Sequence, residues 1–201
     1  MTSIYSRLTV VRNWLGTNPA TGAKYLPDST KSDAGQARGV GVYESDGLLV
    51  DAELFRRLRA RGEALGGEDG IDYLEAALSL VQGPPFDHLR PGGYGWLADT
   101  PLDHYLAAGI VDVAHTVHLH HLHAGNLEQA RTAAETAQKA APYEDTPRLD
   151  LVAVMRAAGH SEEADRYLRE EICNRSEDGE APDDLPERTE AVVREWQSRA
   201  S

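Results

Sequence analysis

Ala76-Ala-Leu-Ser-Leu-Val-Gln-Gly-Pro-Pro-Phe86, followed by Pro91-Gly-Gly-Tyr-Gly-Trp96, decides how this chain is read. An amphipathic helical pattern stops at Gly83, two prolines forbid its continuation, and a glycine-rich aromatic turn leads into the next long pattern. Glycine ends helices and proline cannot extend them, so the break is physical rather than compositional. The expectation is a helical array with a rigid joint at 83–96. Pro84, Pro85, Phe86, Tyr94 and Trp96 would form a clasp over the helix ends. The same aromatics could instead floor a peptide or ligand surface. A chain with only two Phe and three Trp is expected to spend them on packing.

Downstream of the joint, helical spacing predicts helices at about 102–124, 126–141, 145–158 and 161–176, an acidic break at 177–184 and a last helix at about 185–199. Gly125 and Gly159 lie 34 residues apart, as do Ala130 and Ala164, each pair in the same local frame of a helix end, a polar pair and a helix. Thirty-four is the period of tetratricopeptide repeats, in which small residues let paired helices approach. Upstream, Asp51 can cap a helix running to Leu65, with Leu54, Phe55, Leu58 and Leu65 inward. Gly66-Gly67 breaks it, and Asp69 can cap a second helix that turns Tyr73, Leu74, Ala77, Leu78 and Val81 inward.

Residues 1–50 differ. Residues 2–15 read as a helix with Ile4, Leu8, Val11 and Leu15 inward, ended by Gly16. The Gly- and Pro-punctuated stretch 17–50 reads as two or three short strands joined by turns, one of them Ser45-Asp-Gly47, around a polar, mobile piece at 28–38. The division expected is 1–50 and 51–201.

Net charge is −13, unevenly placed. Residues 1–38 carry five basic and two acidic side chains, so the remainder holds −16 and would be repelled by a phosphate backbone. No apolar run approaches the roughly 20 residues of a membrane span. The single Cys173 cannot form an internal disulfide, which points to a reduced, cytoplasmic setting.

His115, His118, His120, His121 and His123 fall within nine residues, and several pairs are three apart, as metal ligands can be. They spread over several faces with no Cys and no HExxH, so they read as surface and groove histidines, with no metal and no cofactor assigned. No phosphate loop and no nucleophilic triad stands out: Gly92-Gly-Tyr-Gly95 lacks a following Lys. The chain does not read as an enzyme.

Together, Asp51-x-x-x-Phe55, Gly62, Ala76-Ala-Leu78, Gly83-Pro-Pro-Phe86, Asp112-x-Ala114, Ala124-Gly125, Ala141-Pro142 and Ala157-Ala-Gly159 resemble the bacterial transcriptional activator domain, which follows a winged helix in many actinobacterial regulators. Leu185-Pro-x-x-Thr189 resembles its closing helix. Ser6-Arg-Leu8 and Trp14-Leu-Gly16 resemble the recognition helix of the accompanying winged helix, and Tyr25-Leu-Pro27 with Val42-Tyr43 its wing. The resemblance implies a mostly α fold: a tetratricopeptide-like, right-handed helical array at 51–201 with a small helix-plus-β-wing remnant at 1–50. It implies a regulator working through contacts with a protein partner or a second copy of itself. On such a helix, Ser3, Ser6, Arg7 and Arg12 would meet DNA. The two helices that normally precede a recognition helix are missing, so DNA is expected as a partner only if the winged helix is completed. The alternative is a helical-repeat scaffold without DNA binding, such as the cytoplasmic end of a larger membrane-linked signalling or cell-wall-associated protein.

Overall fold

The computed structural model describes residues 4–45, 47–87, 100–173, 189–192, 194 and 198. It divides at Val50 into two compact units, 1–50 and 51–201.

Among the described residues from Asp51 to Cys173, each helix packs on the next described one in the chain. Helices α3 (Asp51–Leu65) and α4 (Gly67–Leu78) form the first hairpin. Gly66 and Gly67 turn it with φ of 64° and 57°, a region open to glycine at little cost. Helix α4 therefore begins at Gly67, and Asp69 lies in its first turn rather than at the cap. Gly62 and Gly70 bring the two backbones into contact: a Cβ on Gly62 would stand 2.8 Å from the Gly70 carbonyl oxygen. Leu65 and Tyr73, expected inward, are exposed; the hairpin turns Leu65 outward, and the Arg61 guanidinium covers the Tyr73 ring at 5.8 Å.

Helix α5 (Leu102–His123) is the central element and touches α4, α6 and α7. Phe55, Leu74, Ala77, Ile110, Val113, Ala114 and Val117 form the main core with alanines from α6 (Leu127–Ala140). All five buried residues of α6 are alanines, which lets it lie close to its neighbours. Gly109 leaves room for Arg59, whose Nη2 donates to Asp112 at 3.2 Å and ties α3 to α5. Hydrogen bonding to Glu63 is the main cause that raises the Arg59 pKa.

Helices α7 (Asp145–Ala157) and α8 (Ser161–Leu168) form the last hairpin, and α8 runs into a π-helical turn at Arg169–Cys173. Leu149, Val152, Met155, Ala164, Leu168 and Ile172 make a second core, with Val192 packed against it. Thr189 is buried and its hydroxyl donates to Asp145 at 3.2 Å, so the chain returns to α7 after the acidic break. That break, 177–184, lies outside the described residues, as does most of the expected last helix.

The 34-residue echo is present in the backbone. Ala124, Gly125 and Asn126 donate to the carbonyls of His120, Leu122 and His121. Ala158, Gly159 and His160 donate to those of Val154, Arg156 and Met155, each donor and acceptor 34 positions on. Both glycines take positive φ, 77° and 83°, and Ala130 and Ala164 are fully buried.

The first unit departs from expectation. Helix α1 (Ile4–Leu15) ends at Gly16 as anticipated but has no buried residue. Leu8 and Leu15 are half-buried, while Ile4 and Val11 are exposed. Among the described residues there is no strand, only an isolated antiparallel bridge from Thr17 to Lys24, so the expected β-wing strands are absent there. The polar piece at 28–38 holds a short helix, α2 (Asp33–Arg38), where mobility was expected. Ser32 explains it: its hydroxyl accepts from Gly35 N and donates to the Val42 carbonyl at 2.7 Å. Glu44 adds a second cap by accepting from Ala34 N. Asp46, the centre of the expected turn, is outside the described residues.

Candidate functional site

Two places hold the side chains singled out in the sequence: helix α1, and the histidine-bearing half of α5.

On α1, Ser6 and Arg7 are exposed, and Ser3 lies outside the described residues. Arg12 is turned inward. Its Nε donates to the Leu26 carbonyl at 2.8 Å, Nη2 to the Pro27 carbonyl at 3.2 Å, and Nη1 pairs with Asp28 at 3.2 Å. A phosphate would have to displace two carbonyls and a carboxylate to engage it. Arg7 is therefore the one α1 cation, among the described residues, presented outward. Around it stand exposed apolar side chains: Ile4, Val10, Val11 and, at 82% exposure, Trp14. A face of this kind suits protein better than a nucleic-acid backbone.

At the joint, Pro84 and Pro85 are half-buried. Phe86 is 37% exposed and adopts φ of 62°, unusual for a bulky residue. Tyr94 and Trp96 lie outside the described residues.

Of the five clustered histidines only His123 is exposed, as expected of a surface residue; the other four are drawn inward. His118 is fully buried and His121 nearly so, while His115 and His120 are half-buried. His115 Nδ1 lies 3.0 and 2.9 Å from the two oxygens of Asp150, a carboxylate only 2% exposed. Because carboxylate oxygens accept, His115 donates from Nδ1. His118 Nδ1 likewise donates to the Ala130 carbonyl at 3.2 Å, and its Nε2 stands 3.7 Å from Asp150. The His115 and His118 rings stack at 6.2 Å. On the other side of α5, His121 Nε2 pairs with Glu75 and His120 lies 3.5 Å from Glu68. The cluster thus joins α5 to α4, to α6 and to α7.

Among the described residues no three His, Cys, Asp or Glu side chains converge as metal ligands. Asp150 and Glu75 face histidine as hydrogen-bond acceptors, and exposed Glu68 stands only at ion-pair distance. Asp150 is the partner that sequence reasoning missed. It lies 35 residues from His115, beyond any local motif, but one signal was available: an acid inside the apolar run Leu149-Asp-Leu-Val152 must be buried and paired. No described helix is long and apolar enough to cross a membrane.

Scans of the chain against protein-family models, curated proteins and solved structures match nothing.

Proposed function

We propose that this chain is the interaction module of a bacterial transcriptional regulator, a tetratricopeptide-like array in the manner of the bacterial transcriptional activator domain, preceded by a partial winged helix. One observation carries the reading: the two turns 34 residues apart repeat the same hydrogen bonds around the same buried alanine. A repeat of this kind builds an extended surface for protein contacts and needs no catalytic constellation. The acidic remainder at −16 favours protein over nucleic-acid partners, leaving any DNA contact to Ser3, Ser6 and Arg7.

The second reading, a repeat scaffold without DNA binding, is favoured by the engagement of Arg12 and the apolar face around Arg7. A duplex titration separates the two. Labelled duplex DNA is titrated with the protein at low and at physiological salt, and anisotropy is followed. The regulator with its own DNA contact gives binding that weakens steeply as salt rises. Absence of salt-sensitive binding removes the DNA contact and leaves the scaffold.

A further inference from the structure

We propose that α1 is a self-association helix, two copies packing antiparallel through the face formed by Ile4, Arg7, Val10, Val11 and Trp14. This deepens the protein-contact reading by naming the partner as a second copy of this chain.

The face follows from the helix geometry. Leu8, Arg12 and Leu15 are half-buried, and Arg12 binds that side of α1 to Leu26, Pro27 and Asp28. Val10 and Trp14 lie round the helix from that side, while Ile4 and Val11, which border Leu8 and Leu15, stand exposed at its edge. Ile4 and Val10 are each 68% exposed, Val11 44% and Trp14 82%. Positions 4, 7, 11 and 14 recur at spacings of three, four and three, one continuous seam along a helix. Seams of exposed apolar side chains are interaction sites.

The symmetry of that spacing selects the occupant. Reversed end for end, 3-4-3 maps onto itself, so an antiparallel pair sets each Ile4 against Trp14 of the second copy and each Arg7 against Val11. Such a contact is isologous and closes on a two-fold axis. A parallel pair would instead set Arg7 against Arg7, two like charges with no acid in the seam. In the antiparallel pair Arg7 lies one helical turn from the Trp14 ring of the second copy, within reach of a cation–π contact. The four apolar side chains offer on the order of 500 Å² per copy, about 1,000 Å² for the pair, the lower edge of a specific interface. The dimer is accordingly weak and concentration-dependent. It also covers Arg7, so α1 cannot pair with itself and touch DNA at once.

Sedimentation equilibrium on the purified chain, from about 1 to about 100 µM, tests this. The expected result is a monomer–dimer equilibrium that Trp14→Lys weakens at least about tenfold with the far-UV circular dichroism unchanged. Trp14 is mostly solvent-exposed, so the variant folds. A native chain monomeric throughout, or a Trp14→Lys chain that associates as the native one does, overturns the proposal. Orientation is read by mixing Ile4→Cys chains with Trp14→Cys chains, both carrying Cys173→Ser. Mixed disulfides outrunning same-site disulfides support the antiparallel pair, and the reverse overturns it. No DNA enters the test, so a failed dimer is distinguishable from a failed regulator.

Discussion

Gly62→Ala should destabilise the second unit by about 1–2 kcal/mol, although alanine is the better helix former by about 1 kcal/mol. The added methyl would stand 2.8 Å from the Gly70 carbonyl oxygen and 2.7 Å from Leu74 Cδ2. Leu74 is 4% exposed and has no space into which to retreat, and the carbonyl belongs to the facing helix. Relief requires α3 and α4 to part by about half an ångström, and with two such contacts the cost falls in the upper part of the overpacking range, about 2–3 kcal/mol. The loss therefore exceeds the propensity gain. Gly70→Ala meets the same obstacle from the other side, 2.6 Å from the Gly62 carbonyl oxygen. One opening relieves both, so the double variant should lose less than the two single losses combined. Gly83→Ala is the control: nothing lies within 4 Å of its added methyl, and it should be neutral or stabilising by up to about 1 kcal/mol. Urea unfolding followed by circular dichroism reads all four midpoints. A Gly62→Ala chain as stable as the native one, or more so, would refute the close α3–α4 contact.

Asp150→Ala removes the buried carboxylate that His115 donates to and should cost about 1–3 kcal/mol, against less for Asp150→Asn, which keeps an acceptor; equal, negligible losses by thermal unfolding would show that the pairing holds nothing. Gly125→Ala and Gly159→Ala should each cost about 1–2 kcal/mol, because both turns demand positive φ; one costly and one neutral would break the equivalence of the two turns. Burial, partly countered by the hydrogen bond from Gln138, raises the Tyr167 phenol above its ordinary 10.0. Its folded pKa exceeds the unfolded one, so its contribution is intact below pH 10.0 and declines as pH rises through the folded value. A Tyr167→Phe chain should lose tyrosinate absorbance that develops above pH 10.0 and hold its stability better in alkali; an unchanged titration curve would contradict this.

Helices α3 to α8 were legible because each carries an apolar stripe at helical spacing between glycine or proline breaks. The 34-residue echo was legible because a positive-φ turn and a close helix contact each admit few residue types, here Gly125, Gly159, Ala130 and Ala164. The first unit was not, for an opposite reason. Ser29, Ser32, Val42 and Glu44 shape it through hydrogen bonds across about ten residues, and polar caps leave no hydropathy period to read. Arg12 looked like a DNA contact because sequence shows a cation's position on a helix but not the carbonyls of Leu26 and Pro27 that meet it. The histidines looked superficial for a similar reason: burial of His118 depends on Asp150 and Ala130, on two other helices.

A tethered reporter tests most directly whether the chain regulates transcription through protein contacts. The full chain is fused to an unrelated sequence-specific DNA-binding domain whose site lies upstream of a bacterial promoter, so its own DNA contact is not needed. Transcription should change several-fold, and an array broken by Ala164→Arg, at a position with no exposed surface, should abolish the change. An intact, folded fusion that leaves the promoter at its basal rate would contradict the regulatory reading.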